Sequence, residues 1–218
     1  MNRLLFTKTG MAKYISHLDL MRTMQRALLR TGLEIKHTQG FNPHPHMVFA
    51  LPLPVGCESL CELMDFELVK DVPADEIVPG LNRTLPEGIE VLSAYAAERK
   101  LKEIAKLEME IVYTYDRGAD ESIAARLTEL FRRPEIIVNK KTKKGFSDIN
   151  IRELMDKVEL SVYNDNKIKL STVIAAQNPS LNPLLITAAV GNYEPGLVPD
   201  EVSYIRKEIF DDTMNIFR

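Results

Sequence analysis

Tryptophan is absent from this chain of 218 residues, and all aromatics together make up only 7% of it, which disfavours an aromatic platform of the kind that binds carbohydrate. No apolar run approaches the roughly 20 residues that a membrane helix needs. The opening Met1-Asn2-Arg3-Leu4-Leu5-Phe6-Thr7-Lys8 lacks the continuous apolar stretch of a signal peptide. A soluble protein with a cytoplasmic address and no membrane partner is therefore expected. Cysteine is nearly absent too: Cys57 and Cys61 are the only two, so neither a disulfide framework, a four-cysteine zinc site nor an iron-sulfur cluster can be built inside the chain. Their spacing differs from the C-x-x-C redox form, and they read as small buried residues. The sequence contains no G-x-G-x-x-G, no G-x-x-x-x-G-K-[ST] and no G-x-S-x-G, so nucleotide-driven chemistry and the commonest serine hydrolase signature are not expected. No resident metal or cofactor is expected.

What is present is a chain 45% apolar and 27% charged, enough to bury a sizeable core in one ordinary domain or two small ones. The net charge of −3 argues against indiscriminate coating of nucleic acid, which rests on many phosphate-neutralising cations. Charge is uneven, however. Residues 1–46 carry seven Lys and Arg against two acids, and all four histidines, His17, His37, His44 and His46, lie there.

Hydrophobic periodicity organises the chain. Arg3 to Lys8 reads as a strand ended by Gly10. Leu18, Met21, Gln25 and Leu28 follow helical spacing, with Ser16 as N-cap and Gly32 as stop, which predicts a helix at about 16–31. Leu33 to His37 and Met47 to Leu51 are short strand candidates. Alternation from Cys61 to Val69 predicts a strand with one apolar face and one carrying Asp65 and Glu67. A helix at Asp75 to Leu85 and a strand at Ile89 to Ala97 complete a βαββαβ order. Beyond the charged join Glu98 to Glu103, strands at 107–115, 135–139, 158–163 and 167–171 mix with helices at 121–131, near 151–155 and after Pro183. The tail after Pro199 is too apolar for a disordered end. The expected class is α+β: two ferredoxin-like, split βαβ halves, residues 1–100 and 101–218, each with an antiparallel sheet and helices on one face.

Several residues carry candidate chemistry. Arg22, Arg26 and Arg30 recur every four residues on the first helix, a cationic stripe suited to a phosphate backbone. The loop Thr38 to His46 holds Phe41 and Asn42 between Gly40 and two prolines. A second basic knot, Lys140, Lys141, Lys143 and Lys144, reads as a solvated hairpin loop or as a further RNA contact. His17, with Asp19 placed to orient it, and His44 are candidates for general acid–base work on RNA, which needs a base near the 2′-hydroxyl and cations near the phosphate. His44 and His46 flank Pro45 and present a weak pattern for one metal ion with Asp65 or Glu67.

Phe6-Thr7-Lys8-Thr9-Gly10, Tyr14-Ile15-Ser16-His17-Leu18-Asp19-Leu20 and Gly40-Phe41-Asn42-Pro43-His44-Pro45 resemble the bacterial radical-SAM-linked domain family. The likeness extends through Leu53-Pro54-Val55-Gly56, Glu58-Ser59, Glu62, Asp65-Phe66-Glu67-Leu68, Leu81-Asn82 and Leu85-Pro86-Glu87-Gly88. It is looser at Lys144-Gly145 and Asp148 to Arg152. Members occur free or joined to a cobalamin-binding radical SAM protein, with genes near an RNase of the E/G type. The resemblance implies an accessory role beside a radical SAM partner and a connection to RNA. This chain has no Cys-x3-Cys-x2-Cys, so a radical cluster would sit on the partner. A basic residue is common in the family where this chain has His46, which leaves His17, Asp19, Asn42 and His44 as the better candidates. Three expectations result: an RNA- or substrate-binding module, an RNA-cleaving or RNA-modifying enzyme using His17 and His44, or a protein adaptor without RNA.

Overall fold

The computed structural model describes residues 1–142 and 145–218, which form two units, Met1–Glu103 with Arg218 and Ile104–Phe217. In the first, β1 (Asn2–Lys8) leads through a tight turn at Gly10–Tyr14 into α1 (His17–Arg30); β2 (Met47–Phe49), β3 (Cys57–Phe66), α2 (Ala74–Asn82) and β4 (Ile89–Ala96) follow. The strands lie in the order β4-β1-β3, with β2 against β3, and every pairing is antiparallel. That is the ferredoxin-like arrangement.

The residues explain the elements. Ser16 caps α1 by accepting from the Asp19 amide, and Leu20, Met24, Ala27 and Leu28 turn their helical stripe inward. They meet Leu4 and Phe6 of β1, Met64 and Phe66 of β3, Ile89 and Val91 of β4, and Ile77 and Leu81 of α2, so both helices cover the same sheet face. Gly80 lets α2 approach the C-terminal end of α1, since an added methyl would stand 3.4 Å from the Thr31 side chain.

The second unit holds β5 (Lys106–Thr114), α3 (Glu121–Arg132), β6 (Ile137–Thr142), β7 (Gly145–Asn150), β8 (Met155–Asn164), β9 (Lys167–Ala175), α4 (Leu184–Tyr193) and β10 (Glu201–Phe210). Its sheet runs β10-β5-β9-β8, all antiparallel, while β6 and β7 form a separate hairpin. Without that hairpin the order is again βαββαβ with the same strand arrangement. Asp120 caps α3 through the amides of Ser122 and Ile123.

Three expectations are corrected. Leu33 to His37 is not a strand: it makes only the isolated bridges Ile35↔Leu68 and His37↔Pro45, because the prolines at 43 and 45 interrupt any ladder. The short helix near 151–155 is a single turn at Arg152–Leu154 that leads straight into β8. The strand expected at Cys61 to Val69 runs instead over Cys57–Phe66, and Asp65 is buried on its face together with Cys61 and Leu63. Cys57 and Cys61 are buried and not joined in a disulfide, in keeping with the reading of their spacing.

Candidate nucleic-acid interface

The interface candidates are positioned by α1 and by the hairpin loop that leaves its C-terminal end. The Ser16 hydroxyl donates to Asp19 Oδ2 at 2.8 Å, and Arg22 Nη1 donates to Asp19 Oδ1 at 3.2 Å. The Ser16 hydrogen bond first, and the Arg22 guanidinium beside it, hold the Asp19 carboxyl below its usual value. Asp19 thus serves the cap and the arginine rather than an imidazole. Arg22, Arg26 and Arg30 all face solvent, and Arg26 and Arg30 have no acidic partner among the described residues. Leu18 and Leu29 are exposed on the same helix, and Met11 and Tyr14 in the turn before it.

His17 opens α1 and sets its ring edge-on against Phe49, with centroids 5.4 Å apart, and Phe49 meets Phe6 in the same manner at 6.2 Å. This is aromatic packing that joins the helix start to β2. His44 lies in the loop, with Nδ1 3.1 Å from Thr38 Oγ1 and 3.3 Å from the Asn42 carbonyl oxygen. The contacts of the two histidines are separate, His17 with Phe49 and His44 with Thr38 and Asn42.

The loop itself is a short hairpin. Thr38 N donates to the His44 carbonyl at 2.8 Å and His46 N to the Lys36 carbonyl at 2.8 Å, while Lys36 N donates to Glu67 O at 2.9 Å. Its root is fixed by buried Ile35. Beside the root, Lys36, His37, Thr38, Gln39, His46 and Glu67 line an open cleft of about 540 Å³. His46 Nδ1 stands 3.4 Å from Glu67 Oε2 and Lys36 Nζ 3.7 Å from the same oxygen. His46 and then Lys36 hold the Glu67 carboxyl below its ordinary value. At the tip, Phe41 is fully exposed, and Asn42 and His44 are exposed beside it in the sequence.

A lowered carboxyl value means that Glu67 contributes stability above its ordinary value and loses it as pH falls through the lower folded one. Glu67→Gln is therefore expected to unfold at lower urea than the parent at about pH 7, with the gap closing as pH falls below the ordinary carboxylate range. Equal midpoints throughout would show the contact to be idle.

The two histidines flanking Pro45 do not share a ligand position: His46 turns to Glu67, His44 to Thr38, and Asp65 to Arg3. Among the described residues no group of three or more His, Cys, Asp or Glu gathers as a metal site. The Arg3–Asp65 pair is buried and bidentate, at 2.6 and 2.9 Å, with Arg3 Nη2 also donating to the Arg99 carbonyl at 2.7 Å. It is a structural element of the sheet.

In the second unit, Lys140 and Lys141 of the lysine knot lie on β6, where Lys140 pairs with Ser147 and Lys141 with Phe146 of β7. Lys140 is half-buried. Lys143 and Lys144 lie outside the described residues, as does the side chain of Lys141. Sequence reasoning passed over Lys36, His37 and Gln39, and over Phe146, which is 72% exposed. The signal for Phe146 was an aromatic immediately beyond a basic run; the cleft residues carried no signal until the loop folded back on Glu67.

Two ferredoxin-like units, the first with a cationic helix and an aromatic-tipped hairpin, define the class of protein. The chain belongs to the family described as an uncharacterized protein conserved in bacteria (DUF2344), which it matches over residues 2–183. No curated protein matches it in sequence. Among solved structures it is similar to a chain in the crystal structure of a Cbf5-Nop10-Gar1 complex, with TM-score 0.51 and 8% identity over 95% of this chain and 48% of that one. It is also similar to a chain in the archaeal box H/ACA sRNP Nop10-Cbf5 complex, with TM-score 0.46 and 9% identity over 94% of this chain and 46% of that one. The chain spans about half the length of each, and the likeness is one of fold. No helix among the described residues is long and apolar enough to cross a membrane.

Proposed function

We propose that this protein is an accessory RNA-binding protein that works with a radical SAM partner in RNA modification or processing. The observation that carries the RNA reading is the solvent-facing row Arg22, Arg26 and Arg30 on α1, in which Arg26 and Arg30 are uncommitted to any acid among the described residues. Guanidinium groups at one-turn spacing match successive phosphates and bind them bidentately. Phe41 and Asn42 follow on the loop that leaves the same helix, and the second half adds Lys140, Lys141, Lys143 and Lys144. The radical SAM partnership rests on the family resemblance. His17 and His44 remain outside the mechanism: one packs on Phe49 and the other closes its own loop.

The test is a salt-series titration of the purified protein against total cellular RNA, beside an Arg22→Ala, Arg26→Ala, Arg30→Ala variant. Affinity is expected to fall steeply with salt, and the variant to lose about two to three units of the log–log slope, since each neutralised phosphate contributes roughly 0.7 to 0.9. The three side chains are exposed, so the variant is expected to fold as the parent does. Absent binding at low salt, or a slope unchanged in the variant, overturns the reading.

A further inference from the structure

Two phenylalanine rings stand in water on hairpins whose roots are packed. Phe41 is fully exposed, and Phe146 is 72% exposed. The first hairpin is rooted by buried Ile35 and the pairing of Lys36 and Thr38 with His46 and His44. The second is rooted by buried Ile136, Val138 and Ile151, and by the Tyr193 hydroxyl, which accepts from the Ile137 amide at 2.9 Å. Each hairpin interrupts its unit at the same point of the βαββαβ order, between the first helix and the second strand. A ring held out on a fixed stem contributes nothing to its own core, and here the arrangement occurs once in each half.

We infer that each of these hairpins is the base-contacting element of its own unit, with unpaired bases stacking on Phe41 in the first and on Phe146 in the second, so that the substrate class is RNA presenting single-stranded nucleotides. The inference rests on the RNA reading above. Phenylalanine has no polar handle and offers only its face, which suits any base that has left its stack. A base inside a continuous duplex has both faces covered by its neighbours. Charge fits the occupant: the first tip follows Arg30, Lys36 and His37, and Lys141 stands opposite Phe146 in register with Lys140 one residue before it. The acids nearby are Glu34, Glu67, which is engaged by His46 and Lys36, and Asp148, which accepts from Asn139 at 3.1 Å. A lipid surface or an apolar protein groove would call for a continuous apolar patch instead.

The chain has no tryptophan, so Phe41→Trp and Phe146→Trp each introduce a single fluorophore at one tip. Phe41→Ala and Phe146→Ala complete the set, and the probes are single-stranded oligoadenylate and a perfect RNA duplex of equal length. Each alanine variant is expected to lose about fivefold or more in affinity for the single strand, with the salt slope unchanged because no cation is removed. Each tryptophan is expected to be quenched by the single strand and not by the duplex. If the parent binds with salt dependence while the alanine variants bind equally and the tryptophans stay unquenched, the base contact is overturned and the RNA reading stands. A loss on the duplex as large as that on the single strand also overturns the base contact. If the parent binds neither RNA at low salt, both fail.

Discussion

Asp65→Ala is expected to destabilise the first unit by about 3–5 kcal/mol, the largest effect of any single side-chain truncation considered. The Arg3 guanidinium is fully buried, and Asp65 meets it with two hydrogen bonds of 2.6 and 2.9 Å. Removing the carboxylate takes both of these hydrogen bonds from a buried cation, which the Arg99 carbonyl, accepting from it at 2.7 Å, does not replace in charge. The cost approaches the whole stability of an ordinary domain, about 5–15 kcal/mol. The double variant Arg3→Met, Asp65→Leu is expected to recover most of it, because replacing both partners by apolar groups removes the desolvation penalty with the attraction. Urea unfolding of parent, single and double variants decides the matter. A single variant within about 1 kcal/mol of the parent would show that the pair is solvated and carries no such weight.

Gly88→Ala is the second large effect, and it acts on the segment that delivers α1. Gly88 has φ +86°, and an added Cβ would overlap the Thr9 carbonyl oxygen and stand 2.9 Å from Ala12 Cβ. Thr9 also donates its amide to the Gly88 carbonyl at 2.8 Å, so neither backbone can retreat without losing that bond. Overpacking costs about 1–3 kcal/mol, and the left-handed backbone adds about 1–2 kcal/mol. Gly10 is the control: its φ is +57° with nothing within 4 Å of an added Cβ, so Gly10→Ala bears the backbone cost alone. The difference between the two melting shifts isolates the overlap. Equal shifts would mean that the turn yields freely. The turn is further tied to β1, since buried Lys8 donates to the carbonyls of Lys13 and Ile15 at 3.3 and 3.0 Å. Gly88→Ala is therefore also expected to weaken RNA binding by loosening the start of α1, whereas Gly10→Ala leaves it closer to the parent.

The local signals in the sequence translated well where one face of an element meets the core. The α1 stripe Leu20, Met24, Ala27 and Leu28, with Ser16 before it, specified both the helix and the direction it faces. Its complement, the arginine row, was legible for the same reason: residues four apart share a line on a helix. Tyr204, Ile205, Ile209 and Phe210 marked an ordered segment that is the strand β10. Alternation located β3 and the face that carries Asp65 but left the surroundings of Asp65 open. Its environment depends on Arg3, 62 residues away in sequence, and a period-two pattern cannot register a partner at that distance.

By itself, the sequence determined the class of the protein: α+β, two βαββαβ halves, no cluster or disulfide framework within the chain, and a basic segment at its start. Those properties follow from composition and from the periods of 3.6 and 2.0, which are set by residues close together in the chain. Only the tertiary structure decided what the singled-out polar residues do. His17 and His44 look alike in sequence, yet one is spent on Phe49 and the other on Thr38; Asp19 is taken by Ser16 and Arg22; Glu67 gathers His46 and Lys36 into a cleft. A polar side chain's role is set by which partner lies within about 3 Å of it, and for Glu67 and His44 that partner is supplied by loop closure and strand register, which no local pattern encodes.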